Sequence, residues 1–116
     1  MDLALNDGKI SFPENASIED KVTALLDEMT LEEKIGQMNQ YNGFWDFTGP
    51  IPNEGEAAKK YEHLRKGLVG SMLNVRGVED VRKVQKIAVE ESRLGIPLII
   101  GFDVIHGYET LSPIPL

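Results

Sequence analysis

The chain has 116 residues, of which 41% are hydrophobic and 27% are charged, with a formal net charge of −7 and no cysteine. This composition is typical of a soluble globular protein, and the length allows one domain at most. The lack of cysteine excludes disulfide frameworks, thiol nucleophiles and thiolate metal sites. Because the negative charge repels phosphate groups, neither nucleic acid nor an anionic membrane surface is expected as a partner.

The first part of the chain, residues 1–16, has weak periodicity and contains Gly8 and Pro13, so we expect an irregular lead-in. It has no basic stretch followed by an apolar run of about 7 to 15 residues, so no signal peptide is predicted in this chain. No apolar run reaches the ~18 residues of a membrane-spanning helix. A soluble protein is expected, and its compartment stays unknown.

Two consecutive helices are predicted next. The first runs from Ser17 to Met29, because Ser17 can cap its amino end and apolar residues recur at helical spacing. The second runs from Leu31 to about Met38, and Thr30 with Glu33 forms the T-x-x-E pattern of a capping box. The residues expected to point inward are Val22, Leu25, Leu26, Met29, Ile35 and Met38.

Residues 41–56 combine aromatic residues with glycine and proline, which is typical of an ordered loop rather than a linker. A third helix is predicted from Ala57 to Lys66. It should end at Gly67, because glycine accepts the left-handed conformation without a steric penalty.

The sequence from Leu68 to Phe102 predicts a strand, a helix and a second strand. The apolar runs Leu68–Leu73 and Leu98–Phe102 indicate strands buried on both faces, and Val69–Leu73 should pair in parallel with the second strand. An amphipathic helix from Val78 to Arg93, ended by Gly95, connects them in one βαβ unit. Its expected inward residues are Val78, Val81, Val84, Ile87 and Ala88. Two such strands leave backbone groups unpaired, so further strands must complete the sheet.

Polar residues follow both strands, at the edge where parallel sheets bind ligands. Asp103 and His106 come after the second strand, where a carboxylate can accept hydrogen bonds from hydroxyl groups and an imidazole can donate or accept nearby. The alternative is structural, since Asp at a strand end often caps a turn and a lone His is more often a satisfied structural residue. Chemistry is therefore expected after Leu73 as well as after Phe102, although Asn74 can simply turn the chain.

Three stretches of sequence are similar to a known family. They are DEMTLEEKIGQM from Asp27 to Met38, LRKGLVGSMLNV from Leu64 to Val75, and VEESRLGIPLIIGFDVIHGYETLSPIPL from Val89 to Leu116. In this order they closely resemble the N-terminal part of the barrel domain of family 3 glycoside hydrolases. The last stretch is the most specific, because a strand ending in G-F-D-V-I-H-G before a P-I-P-L turn is long and unusual in composition.

The resemblance implies an α/β fold in which residues 17–116 are an incomplete N-terminal portion of a (β/α)8 TIM-type barrel. It implies a retaining enzyme that hydrolyses terminal, non-reducing β-D-glucosyl or related residues. Asp103 matches the family aspartate that binds hydroxyls of the terminal sugar, and His106 is the second substrate-binding candidate. The remainder of the enzyme would be the chain's partner, and no cofactor or metal is implied. The family is often periplasmic or secreted.

The family nucleophile, its Lys-His pair and its acid/base carboxylate would all lie beyond Leu116, so we expect no catalytic residue and no activity in this chain alone. The adjacent pairs Glu32–Glu33 and Glu90–Glu91 are predicted to be solvated helix faces rather than a catalytic pair. Relatives commonly have Arg where this chain has Glu109, which reverses a charge and places in doubt any salt bridge beside the sugar site.

Two other hypotheses for the function of the chain remain. The chain can be a non-catalytic remnant that binds sugar or a partner through the strand ends and the aromatic residues of the loop, although such aromatics are more often core. These residues are Tyr41, Phe44, Trp45 and Phe47. An unrelated phosphate-binding α/β enzyme is disfavoured, because the sequence contains neither G-x-G-x-x-G nor G-x-x-x-x-G-K-[ST].

Overall fold

The structure, a computed structural model, describes residues 4–6, 9–43, 54–104 and 107. It begins with two short antiparallel strands, β1 (Ala4–Asn6) and β2 (Lys9–Ser11), in which Leu5 is opposite Ile10. The expectation that residues 1–16 are irregular is therefore wrong for this part. The sequence between the strands is Asp7-Gly8, a dipeptide that favours two-residue hairpin turns and so is a local signal for this pairing.

The two predicted helices are present as α1 (Ile18–Glu28) and α2 (Leu31–Gln37). The Ser17 side chain accepts a hydrogen bond from the backbone N of Asp20 at 3.1 Å, as expected of a cap. At α2 the capping box is complete, because Glu33 N donates to Thr30 Oγ1 at 3.2 Å and Thr30 N donates to Glu33 Oε2 at 2.9 Å. Local hydrogen bonding thus sets where both helices begin.

The predicted inward faces of these two helices are largely wrong. Met29 is buried as expected, but Val22 is 51% exposed, Leu26 46%, Ile35 54% and Met38 80%. The buried residue of α1 is Ala24, and the buried residues of α2 are Glu33 and Gly36.

The close approach of α2 to the backbone before the second core strand explains its orientation. A Cβ added to Gly36 would lie 2.5 Å from Leu68 Cα and 2.7 Å from the Gly67 carbonyl oxygen. Only the glycine face of the helix can come this near to another backbone. The apolar face formed by Ile35 and Met38 is consequently turned away from the described core.

Three parallel strands form the core sheet in the order β3 (Gln40–Asn42), β4 (Ser71–Leu73) and β5 (Ile99–Gly101). In register, Tyr41 is paired with Met72 and Met72 with Ile100. The predicted parallel pairing of the two apolar strands is confirmed, and β3 is one of the further strands that the sheet required. Residues 41 and 42 are therefore strand, not the start of a loop as predicted.

Helices connect the three strands of this sheet. α3 (Gly55–Arg65) lies between β3 and β4 in the chain, and α4 (Val78–Lys86) lies between β4 and β5 and continues into a π-helical segment at Ile87–Glu91. The helix predicted from Val78 to Arg93 is thus present but shorter by two residues and partly π-helical. Gly67 and Gly95 have φ of 71° and 66°, the left-handed conformation expected of glycines after helices.

Among the described residues, an apolar cluster packs the sheet against the helices. Tyr61, Leu64, Met72 and Val84 are its largest fully buried side chains. The inward face predicted for the helix from Val78 to Arg93 is mostly confirmed, because Val84, Ile87 and Ala88 are buried and Val81 packs against the cluster. Val78 is the exception, with 66% of its surface exposed.

Burial of β5 on both faces is contradicted, because Ile99 is 74% exposed. Among the described residues, this face of β5 is uncovered, which leaves the apolar side chain in contact with solvent. Within the same ranges, no helix is long and apolar enough to cross a lipid bilayer.

Candidate functional site

The carboxyl ends of β3, β4 and β5 lie at one edge of the sheet, because the three strands are parallel. Backbone hydrogen bonds connect the residues that follow them. Gly43 N donates to the Leu73 carbonyl oxygen at 2.7 Å, and Asn74 N donates to the Gly101 carbonyl oxygen at 2.9 Å. The strand ends therefore form one continuous edge that can present side chains to a common ligand.

Asp103 lies at this edge, two residues after β5, and the residue is exposed. Its backbone N donates to Asn74 Oδ1 at 2.9 Å, so the residue is joined to the end of β4. This is the position that the sequence predicted for a ligand-binding carboxylate. His106 lies outside the described residues, and its position relative to Asp103 stays a prediction.

A cation–π contact lies next to Asp103. The guanidinium carbon of Arg76, in the loop after β4, is 4.6 Å from the centre of the Phe102 ring. The sequence gives no local signal for this contact, because a loop arginine before Gly77 follows no periodic or spacing pattern. The contact brings a positive charge to the edge that carries Asp103.

Of the four aromatic residues proposed as a sugar-stacking group, the structure describes Tyr41. Its side chain is half-buried in β3, its hydroxyl hydrogen-bonds to His63 Nδ1, and the two rings are 5.8 Å apart. Tyr41 packs against the apolar cluster, which agrees with the structural alternative. Phe44, Trp45, Phe47 and Glu109 lie outside the described residues.

The carboxylate pairs behave differently from each other. Glu90 and Glu91 are exposed, as predicted, and Glu91 Oε2 accepts from Arg65 Nε at 2.6 Å. Glu33 is only 7% exposed, which contradicts its predicted solvation. It accepts two hydrogen bonds from Arg93, and this interaction holds the pKa of Glu33 below its ordinary value against the opposing effect of burial. Glu33 is therefore a structural carboxylate.

Two hollows in the described part of the chain lie away from the strand edge that carries Asp103. A cavity of about 10 Å³ beside Glu33 and Ser92 has room for about one water molecule. An open groove of about 480 Å³ is lined by Asn39 and Leu68, which precede β3 and β4 and so lie at the opposite end of the strands from Asp103. No group of three or more acidic or histidine side chains suited to a metal occurs in the ranges that the structure covers.

The sequence comparison decides the family. The model of the glycosyl hydrolase family 3 N-terminal domain matches residues 30–114. The chain belongs to glycoside hydrolase family 3. A periplasmic beta-glucosidase of Salmonella typhimurium is similar to it, with 40% identity over 95 residues, which are 82% of this chain and 11% of that enzyme. The chain thus spans about a tenth of the length of this curated relative.

Solved family 3 structures share the fold. The beta-glucosidase from Listeria innocua in complex with glucose aligns with a TM-score of 0.62 and 34% identity, over 84% of this chain and 14% of that one. The same enzyme in complex with isofagomine aligns with a TM-score of 0.57 and 37% identity, over 85% and 13%. The predicted α/β fold, part of a (β/α)8 barrel, is confirmed by these alignments and by the parallel sheet.

Proposed function

We propose that residues 17–116 form the first part of the barrel of a retaining β-glucosidase that removes terminal, non-reducing β-D-glucosyl residues. The observation that carries this proposal is the position of Asp103, exposed at the carboxyl edge of a parallel sheet in a chain of family 3. A relative of known structure binds glucose, which supports a glucosyl residue as the ligand of this edge.

Asp103 would bind the terminal sugar rather than break the bond. A carboxylate accepts hydrogen bonds from two adjacent hydroxyls, and such charge-assisted bonds contribute about 1.5 to 3 kcal/mol each. These contacts also hold the ring in its reactive geometry, so they assist the transition state as well as binding. His106 would contribute to the same sugar site.

The chemistry itself requires residues from the remainder of the enzyme. Retaining hydrolysis uses two carboxyl groups about 5 to 5.5 Å apart on opposite sides of the scissile bond. By its resemblance to the family, no carboxylate of this chain would take the role of nucleophile or acid/base. The purified 116-residue chain should therefore hydrolyse no aryl β-glucoside above background, and turnover that depends on Asp103 would contradict this assignment.

The test of the proposal uses the full-length gene product that carries this segment. Asp103→Ala should lower kcat/KM for a β-glucoside by roughly 10² to 10⁴, with kcat reduced and KM raised. The matched control is Asp27→Ala, which removes an exposed carboxylate on α1, far in sequence from the strand ends, and should leave kcat/KM unchanged.

A second substrate identifies the contact. With a glucoside that lacks the hydroxyl bound by Asp103, the penalty of Asp103→Ala should shrink, because the lost interaction is already missing. An equal penalty with both substrates would show that Asp103 does not bind that hydroxyl, and its role would be that of a structural cap.

A further inference from the structure

Asn74 has an unusual backbone conformation at the end of β4. Its φ is 62°, and among the described residues it alone combines a positive φ with a side chain. Asparagine tolerates this left-handed region better than most residues, because its short polar side chain can form local hydrogen bonds. The conformation therefore requires asparagine, aspartate or glycine at this position for an unstrained turn.

Asn74 forms two hydrogen bonds with β5 and the residues that follow it, one through its backbone N and one through its side-chain oxygen. Its backbone N donates to the Gly101 carbonyl oxygen at 2.9 Å, and its Oδ1 accepts from Asp103 N at 2.9 Å. The regular register of β4 with β5 ends at the pair Leu73 and Gly101. The Asn74 side chain thus replaces the next hydrogen bond of the ladder and extends the pairing to Asp103.

We propose that Asn74 is a positioning residue, which holds the backbone of Asp103 so that its exposed carboxylate keeps a fixed place at the strand edge. The inference rests on the proposed sugar-binding role of Asp103. A binding group must be held within about 0.5 Å of its productive position, and a displacement of about 1 Å can cost up to 10²-fold in rate. The contact of Arg76 with Phe102 joins the same two segments, which follow β4 and β5.

The experiment measures kcat/KM for an aryl β-glucoside with the full-length gene product. Asn74→Gly keeps the left-handed turn and removes the acceptor, whereas Asn74→Asp keeps both the turn and an oxygen acceptor. Asn74→Gly should lower kcat/KM by about 5- to 20-fold, and Asn74→Asp should stay within about 3-fold of the unchanged enzyme. An aryl leaving group keeps slow variants measurable.

Each single substitution is then combined with Asp103→Ala. If Asn74 acts through Asp103, Asn74→Gly should cost less than about 2-fold in the Asp103→Ala background, because coupled residues are non-additive. Equal costs in both backgrounds, or an Asn74→Asp variant as impaired as Asn74→Gly, would overturn the positioning role. If Asp103→Ala alone has no effect, the proposed function of Asp103 is itself wrong, a result distinct from an active Asp103 that is insensitive to Asn74.

Discussion

Glu33 and Arg93, 60 residues apart in the chain, form an ion pair with two hydrogen bonds. Arg93 Nε donates to Glu33 Oε1 at 3.0 Å, and Nη2 donates to Oε2 at 2.5 Å. Nη2 also donates to the Glu28 carbonyl oxygen at 2.8 Å, and Glu33 caps α2 through Thr30. The pair therefore connects the end of α1, the start of α2 and the segment after the π-helical turn.

The first prediction concerns the pH dependence of this pair. Hydrogen bonding to Arg93 lowers the pKa of Glu33 from 4.5, so its contribution to stability is complete above that pH and is lost as the pH falls through the lower, folded-state pKa. Arg93→Met should reduce the free energy of unfolding by about 1 to 3 kcal/mol at pH 7, and by less near pH 3. Urea unfolding at both pH values measures this difference.

The control for the ion pair is Lys59→Met, which breaks the exposed contact of Lys59 with Glu56. Its effect should be near zero at both pH values, because exposed pairs contribute little. An Arg93→Met penalty that is the same at pH 7 and pH 3 would mean that the arginine stabilises the fold through its contact with Glu28 or through packing instead.

A second prediction tests the close approach of α2 to the chain before β4. Alanine is a better helix former than glycine by about 1 kcal/mol, yet Gly36→Ala should destabilise the protein by about 1 to 3 kcal/mol. The added Cβ would lie 2.5 Å from Leu68 Cα, a backbone atom that cannot move without displacing the strand. Lys34→Ala, exposed on the same helix, should be nearly neutral. Thermal unfolding that shows equal or higher stability for Gly36→Ala would contradict this packing.

A third prediction concerns Gln85, whose side chain binds both backbone groups of Leu98. Nε2 donates to the Leu98 carbonyl oxygen at 2.7 Å, and Oε1 accepts from Leu98 N at 2.8 Å. Gln85→Leu should cost about 1 to 3 kcal/mol, since it leaves a buried N–H and C=O without partners. Lys86→Leu is the matched control, because Lys86 is the exposed residue next to Gln85. A cost no larger than that of the control, by urea unfolding, would show that water replaces the glutamine.

A fourth prediction distinguishes the observed core from the one that periodicity suggested. Leu64 is 1% exposed and Met38 80%. Leu64→Ala should therefore reduce the free energy of unfolding by about 2 to 5 kcal/mol, whereas Met38→Ala should change it by less than about 0.5 kcal/mol. Comparable losses for the two variants would place Met38 in the core after all.

Local chemistry in the sequence was sufficient for the order and type of most elements. The caps at Ser17 and Thr30, the glycines that end helices and the two apolar runs each depend on residues close in the chain, and the structure has the corresponding helices and strands. The position of Asp103 was also predictable from its neighbours in the chain. A residue that directly follows a parallel strand lies at the carboxyl edge of the sheet.

The tertiary structure alone decided which faces are buried and which polar groups meet. Periodicity identifies an apolar face but not what covers it, so Ile35 and Ile99 were assigned inward although they are exposed in the described structure. Contacts between distant residues left no local pattern either. Glu33 meets Arg93, and Asn74 meets Asp103, because the packing of α2 and the parallel register of β4 with β5 bring them together.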